Sequence, residues 1–173
     1  YNINKGKKSF VDEIIFIGNK KIKSGKLLNV IATEEHKFWK ILSNKKFLNN
    51  ERINLDKRLL VNYYKNKGYY KVNVKNSTVK KKDDENFQLI FNIDSGIKYF
   101  FKKFIINLPP DYDKKFFIKI ENELNEYNGS TYSFRVLEKI LKKIETIATN
   151  ENYEFIDATI DENVVDKNKV NVS

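Results

Sequence analysis

The chain has 173 residues, a formal net charge of +10, and 40% hydrophobic residues, with 14% aromatic. That length admits one domain or two small ones, and the apolar content excludes wholesale disorder. There is no Cys, which excludes disulfides and thiolate metal sites, and no run approaches the roughly 18 apolar residues of a membrane-spanning helix. The positive charge is nearly all Lys, with Arg only at positions 52, 58 and 135. Such a balance favours acidic surfaces. The same abundance of Lys, Asn and Ile also fits a tolerant surface written by an AT-rich genome.

In chain order, FVDEIIFI at residues 10–17 reads as a strand ending in turn chemistry at Gly18-Asn19. Ser24 is placed to cap a helix carrying Leu27, Leu28 and Ile31. HKFWKI and the polar NKKFLNNERI that follows read as a loop with a short helical turn. From Asn54 a clearer helix stacks Leu55, Leu59 and Tyr63, with Leu60 and Tyr64 alongside, and Gly68 stops it. YYKVNV at 69–74 and FQLIFNI at 87–93 are strands separated by the polar turn KKKDDEN.

The second half repeats this order. KYFFKKFIINL at 98–108 is a strand ended by Pro109-Pro110. A short helix over 113–124 puts Phe116, Phe117, Ile120 and Leu124 on one face. A long helix from about Ser133 to Thr149 carries a stripe of Val136, Ile140, Ile144 and Ile147. NENYEFIDATI at 150–160 matches KNKGYYKVNV, with Tyr153 in the place of Tyr69, and NKVNVS supplies the last strand. At an offset of 90 positions, Asn2, Ile3, Gly6, Lys8, Phe10 and Ile15 fall on Asn92, Ile93, Gly96, Lys98, Phe100 and Ile105. Self-similarity at a fixed period means an array of modules. Residues 1–4 read as the last strand of a preceding module, 5–95 as one β-α-α-β-β module and 96–173 as a second.

The residues Ile17-Gly18-Asn19, the helix Leu55 to Tyr64, and Gly68-Tyr69 before an alternating strand resemble the POTRA modules of the BamA-like outer-membrane assembly family. The inserted HKFW and the loop after it look like the third module of that family, and Tyr127-Asn128-Gly129 before the long helix is similar to the fourth. The second unit departs from the pattern with Leu108-Pro109-Pro110 in place of Gly-Asn, and with Asn152 in place of the helix-ending Gly. Asn tolerates a left-handed backbone. The resemblance implies an α+β fold of two tandem modules, each a three-stranded sheet with two helices on one face. It further implies periplasmic scaffold modules of an outer-membrane protein that receive unfolded β-barrel precursors or accessory assembly lipoproteins and pass them to the chain's own C-terminal membrane barrel. POTRA modules also serve secretion and organellar import channels, and that reading stands as the alternative.

A small sheet has edges, and an open edge is a template for an incoming strand. The residues assigned to that contact are Tyr70, Lys71, Val72, Asn73 and Val74, with Gly6, Ser95 and Gly96 as hinges. The opposing reading has the same residues packing on the helices under a covered edge, and the glycines forming tight connections without motion. His36 is the only histidine, and its neighbours Glu34 and Glu35 do not converge with it on a metal. Trp39, with Phe38 and Ile41, reads as a packing anchor for the inserted loop. No phosphate-binding loop or nucleophile motif is present, so the expectation is a non-enzyme without cofactors or metal. Basic RNA-binding modules share the element order, but this sequence has no GXXG clamp and no aromatic RNP strand, and no nucleic-acid partner is assigned.

Overall fold

The computed structural model of the chain describes residues 9–37, 44–153 and 156–173. The fold is α+β, with two three-stranded sheets and four α-helices among the described residues. The chain divides into two compact units, Tyr1–Tyr64 with Lys71–Gly96, and Lys65–Tyr70 with Ile97–Ser173. The first sequence half runs β1 (Phe10–Ile17), α1 (Ser24–Leu28), α2 (Asn50–Lys65), β2 (Asn73–Lys81) and β3 (Asn86–Asp94). The second runs β4 (Phe100–Phe104), α3 (Ile118–Glu126), α4 (Phe134–Asn150), β5 (Glu162–Asp166) and β6 (Lys169–Val172). In each sheet the last strand is central: the orders are β1-β3-β2 and β4-β6-β5, parallel on one side and antiparallel on the other.

The repeat is exact enough to reproduce an irregularity. In β1 the register shifts between Val11 and Glu13, so Val11 and Ile14, three apart, are both buried. In β4 it shifts between Phe101 and Lys103, and Phe101 and Phe104 are both buried. A β-bulge inserts one residue and so breaks the two-residue alternation of facing. The inserted residues are Asp12 and Lys102, 90 positions apart. Each forms an ion pair within its own unit, Asp12 with Lys82 at 2.6 Å and Lys102 with Asp166 at 3.2 Å.

Several elements differ from the sequence reading. Strand β4 covers only 100–104 of the strand expected at 98–108, because its partner β6 ends at Val172 opposite Phe104. The helix expected over 113–124 is a 3-10 turn at Lys114–Phe116 followed by α3. Helix α2 begins four residues earlier than Asn54, because Asn49 Oδ1 accepts from Arg52 N at 2.8 Å and caps it. Its buried face is Ile53, Asp56, Leu60 and Tyr64, rotated from the Leu55–Leu59–Tyr63 stripe, and Leu55 is exposed. Strand β2 covers 73–81 instead of 69–74: β3 ends at Asp94, opposite Asn73, so Tyr69 to Val72 have no strand facing them. The same logic moves β5 to 162–166, since β6 ends at Val172 opposite Glu162. Ser24 does not cap α1; its Oγ accepts from Asn19 Nδ2 at 2.9 Å, and that same amide donates to Ile22 O at 3.1 Å. The Gly18-Asn19 turn is thus held by the Asn19 side chain.

Helix α4 is stopped by the backbone motif that the sequence assigned to Asn152. Asn152 has φ 59, its N–H donates to Thr149 O, and Tyr153 N donates to Ala148 O, both at 3.1 Å. That pair of bonds satisfies the last carbonyls of the helix. Replacing Asn152 with alanine is expected to destabilise the second unit by about 1 kcal/mol, and replacing it with glycine to cost nothing, because a left-handed backbone penalises most Cβ-bearing residues by that order. Urea denaturation of the two variants checks the difference. At the start of α4, Asn66 Oδ1 accepts from Arg135 N at 2.7 Å, so the cap comes from Asn66 and not from Ser133.

Residues 1–4, Gly6, Phe38, Trp39 and Ile41 lie outside the described residues. His36 donates its backbone N–H to Val11 O at 2.6 Å, and its ring lies 4.5 Å from that of Phe10. No described helix is long and apolar enough to cross a membrane.

Candidate functional site

Each sheet has two outer strands, and the fold treats them differently. The outer side of β1 is covered by the segment before α2. Leu48 N donates to Ser9 O at 2.9 Å, Phe47 bridges Phe10, and the Glu35 carboxylate accepts from Ile14 N at 3.1 Å. The outer side of β4 is covered by residues just before α4, with Phe101 N donating to Ser130 O at 2.9 Å and Gly129 N donating to Phe101 O at 2.8 Å. Strands β2 and β5 have no backbone partner on their outer sides among the described residues. An unpaired strand edge is a row of donors and acceptors ready for another strand. Strand β2 offers nine residues and β5 only five.

The direction of the β2 backbone groups follows from the hairpin that closes it. Lys82 N donates to Asn86 O at 2.9 Å, so Lys82 and Asn86 face each other across the hairpin. In an antiparallel ladder the groups alternate inward and outward residue by residue. Thr78 and Lys80, opposite Ile90 and Gln88, therefore face β3, while Val79 and Lys81, opposite Leu89 and Phe87, turn their N–H and C=O groups outward. The hairpin is held by Asp83, whose Oδ1 accepts from Glu85 N at 3.0 Å and Asn86 N at 2.9 Å. Hydrogen bonds from the Asn86 side chain, then those from the Glu85 and Asn86 backbone, hold the Asp83 carboxyl below its ordinary range.

The edge is flanked by lysines that are mostly engaged. Lys75 pairs with Asp94 at 3.2 Å and Lys81 with Asp84 at 3.0 Å. The Lys82–Asp12 hydrogen bond raises the Lys82 ammonium above its usual value. Lysines beside a strand edge discourage indiscriminate self-pairing while leaving the main chain accessible. Thr78, Val79, Lys80 and Lys81 are all exposed, so this half of the strand projects away from the core.

Of the five residues assigned to the contact from sequence, Asn73 and Val74 lie in β2. Val74 and Val72 are buried and anchor the root of the strand. Tyr70 and Lys71 belong to the preceding turn, and the Tyr70 ring lies 4.9 Å from that of Tyr132 and 5.4 Å from that of Tyr99. The structure extends the strand instead through the stretch from Ser77 to Lys81, whose last two residues fall in the KKKDDEN turn of the sequence reading. The signal that finds it is the Asp83-x-x-Asn86 spacing, which marks the turn and sets the strand by counting back. Of the hinge residues, Ser95 is buried, and Gly96 has φ 63 with open space where a Cβ would stand.

The family profile described as POTRA, surface antigen variable number repeat, matches residues 9–96. No curated protein matches the chain. Among solved structures, the Haemophilus influenzae BamA POTRA3-5 crystal structure is similar with a TM-score of 0.70 at 17% identity, covering 99% of this chain and 66% of that one. BamA from Haemophilus ducreyi lacking POTRA domains 1-3 is similar with a TM-score of 0.68 at 14% identity, over 94% of this chain and 28% of that one. POTRA1-2 of the periplasmic domain of Omp85 from Anabaena gives a TM-score of 0.50 at 11% identity, over 95% of this chain and 93% of that one. The chain thus spans less than two thirds of the length of either BamA structure.

Proposed function

The chain belongs to the POTRA family, and from that premise we propose that its first unit is a strand-addition platform in the periplasm. An unfolded outer-membrane β-barrel precursor, or an accessory assembly lipoprotein, adds an extended segment along β2 and is passed toward a membrane β-barrel. The observation that carries this reading is the outward edge of β2, with Val79 and Lys81 presenting main-chain groups beside exposed side chains. Main-chain pairing reads extended shape more than side-chain identity, which suits clients with many different strands. Ser95-Gly96, the point where the element order begins again, is proposed as a hinge.

The test is Val79→Pro. Because the Val79 N–H faces away from β3, proline there removes an outward donor without breaking the ladder. Binding of an extended peptide taken from an outer-membrane β-strand is expected to weaken about tenfold or more, the loss of a main-chain bond plus local crowding. Circular dichroism and stability should be unchanged. Lys80→Pro, which removes a donor facing β3, should destabilise the unit instead. Full peptide affinity in a folded Val79→Pro variant would sink the proposal.

A further inference from the structure

The second unit carries a groove unrelated to either sheet edge. It lies open between α3 and α4, with a volume of about 490 Å³. Phe116, Ile120 and Ile147 line it with apolar surface; Ile120 is buried and the other two are half-buried. Lys119, Lys139 and Lys142 line it as well, and none of them has an ion pair among the described residues. The one carboxylate in the lining, Glu123, is already committed, with both oxygens accepting from Lys143 Nζ at 2.6 Å. That bond, opposed by desolvation and aided by the charges of Lys143, Lys139 and Lys119, lowers the Glu123 carboxyl. With four lysines against one carboxylate, the groove lining keeps a net positive charge around an apolar surface.

We propose that this groove is a docking site for an acidic amphipathic helix of a partner protein, whose apolar face enters the groove while its carboxylates meet Lys119, Lys139 and Lys142. Charge complementarity names the sign of the partner. The form follows from the recess: a flat anionic bilayer would need apolar side chains that protrude, whereas here they are half-buried or buried between two helices. The lining of α4 runs from Lys139 to Ile147, about 12 Å along the helix axis, which matches roughly two turns of a guest helix. The site is separate from the β2 edge and does not rest on the strand-addition reading.

The experiment is fluorescence anisotropy of the whole chain, at physiological salt, with a labelled synthetic helical peptide bearing a Leu stripe flanked by Glu. Saturable binding is expected. The double variant Lys139→Glu with Lys142→Glu, both exposed positions, should weaken it by about tenfold or more and bind better to the same peptide with Lys in place of Glu. A peptide with Ala in place of each Leu should also lose about tenfold, and Val79→Pro should leave binding unchanged. Equal binding by wild type and the double variant would overturn the proposal, as would indifference to the Leu stripe. So would binding to phosphatidylglycerol vesicles or single-stranded RNA that the lysine changes abolish while the peptide fails to bind.

Discussion

Replacing Gly18 with alanine is expected to destabilise the first unit by about 3 kcal/mol, among the largest single-residue effects in the chain. Gly18 holds φ +81, and a Cβ built there stands 2.2 Å from Ile93 O and 3.3 Å from Ile93 C. Two penalties combine. The left-handed backbone costs a non-glycine residue about 1–2 kcal/mol, and the collision adds about 1–3 kcal/mol. The obstructing atoms belong to the backbone of β3, the central strand, so no side chain can swing aside to relieve them. Gly25, in α1, is the control: nothing lies within 4 Å of its Cβ position, and alanine there should be neutral or stabilising by up to about 1 kcal/mol. Urea unfolding followed through first-unit amide signals separates the two. Equal stability of the two variants would contradict the geometry.

The second large effect is Asp56→Ala, expected to cost the first unit about 2–5 kcal/mol. Asp56 has no solvent exposure, although it lies on a helix. Its Oδ1 accepts from Ala32 N at 2.6 Å and Thr33 N at 3.3 Å, and Oδ2 accepts from Thr33 N at 3.3 Å. The carboxylate thus ties the segment after α1 to α2, and truncation strands two backbone donors, of which Thr33 N is in a buried bond. Leaving a buried donor unpaired costs about 1–3 kcal/mol each. Asp56→Asn retains one acceptor oxygen and should cost less, about 1–2 kcal/mol. Denaturation of the pair tests this ranking; a cost for alanine no larger than for asparagine would show that the bonds do not matter.

These two residues mark how far the sequence could be read. The 90-residue repeat, the element order and the glycine turn at 18 were legible because they are local patterns repeated at one spacing. The shared bulge at Asp12 and Lys102 follows from the same spacing but needed the register to be seen. Asp56 was not legible, since a carboxylate among polar residues of a helix reads as solvated; its partners are 23 and 24 residues away. Its burial also rotates α2, which is why the Leu55 stripe misread the face. The strand limits failed for a different reason. Alternation in YYKVNV is real, but a strand exists only where another strand faces it, and the Asp83 turn sets that overlap. The open edge accordingly lies not at 70–74 but along a strand reaching Lys81, in a stretch whose lysines read as turn from sequence.

The central claim is that β2 presents an edge with alternate amides free to pair. Amide hydrogen exchange across β2, with and without an extended outer-membrane strand peptide, tests it most directly. In the free chain Thr78 and Lys80 should be protected by β3 while Val79 and Lys81 exchange quickly, and peptide should bring protection to the second pair. Val79 and Lys81 already protected in the free chain, or unchanged at saturating peptide, would contradict the account.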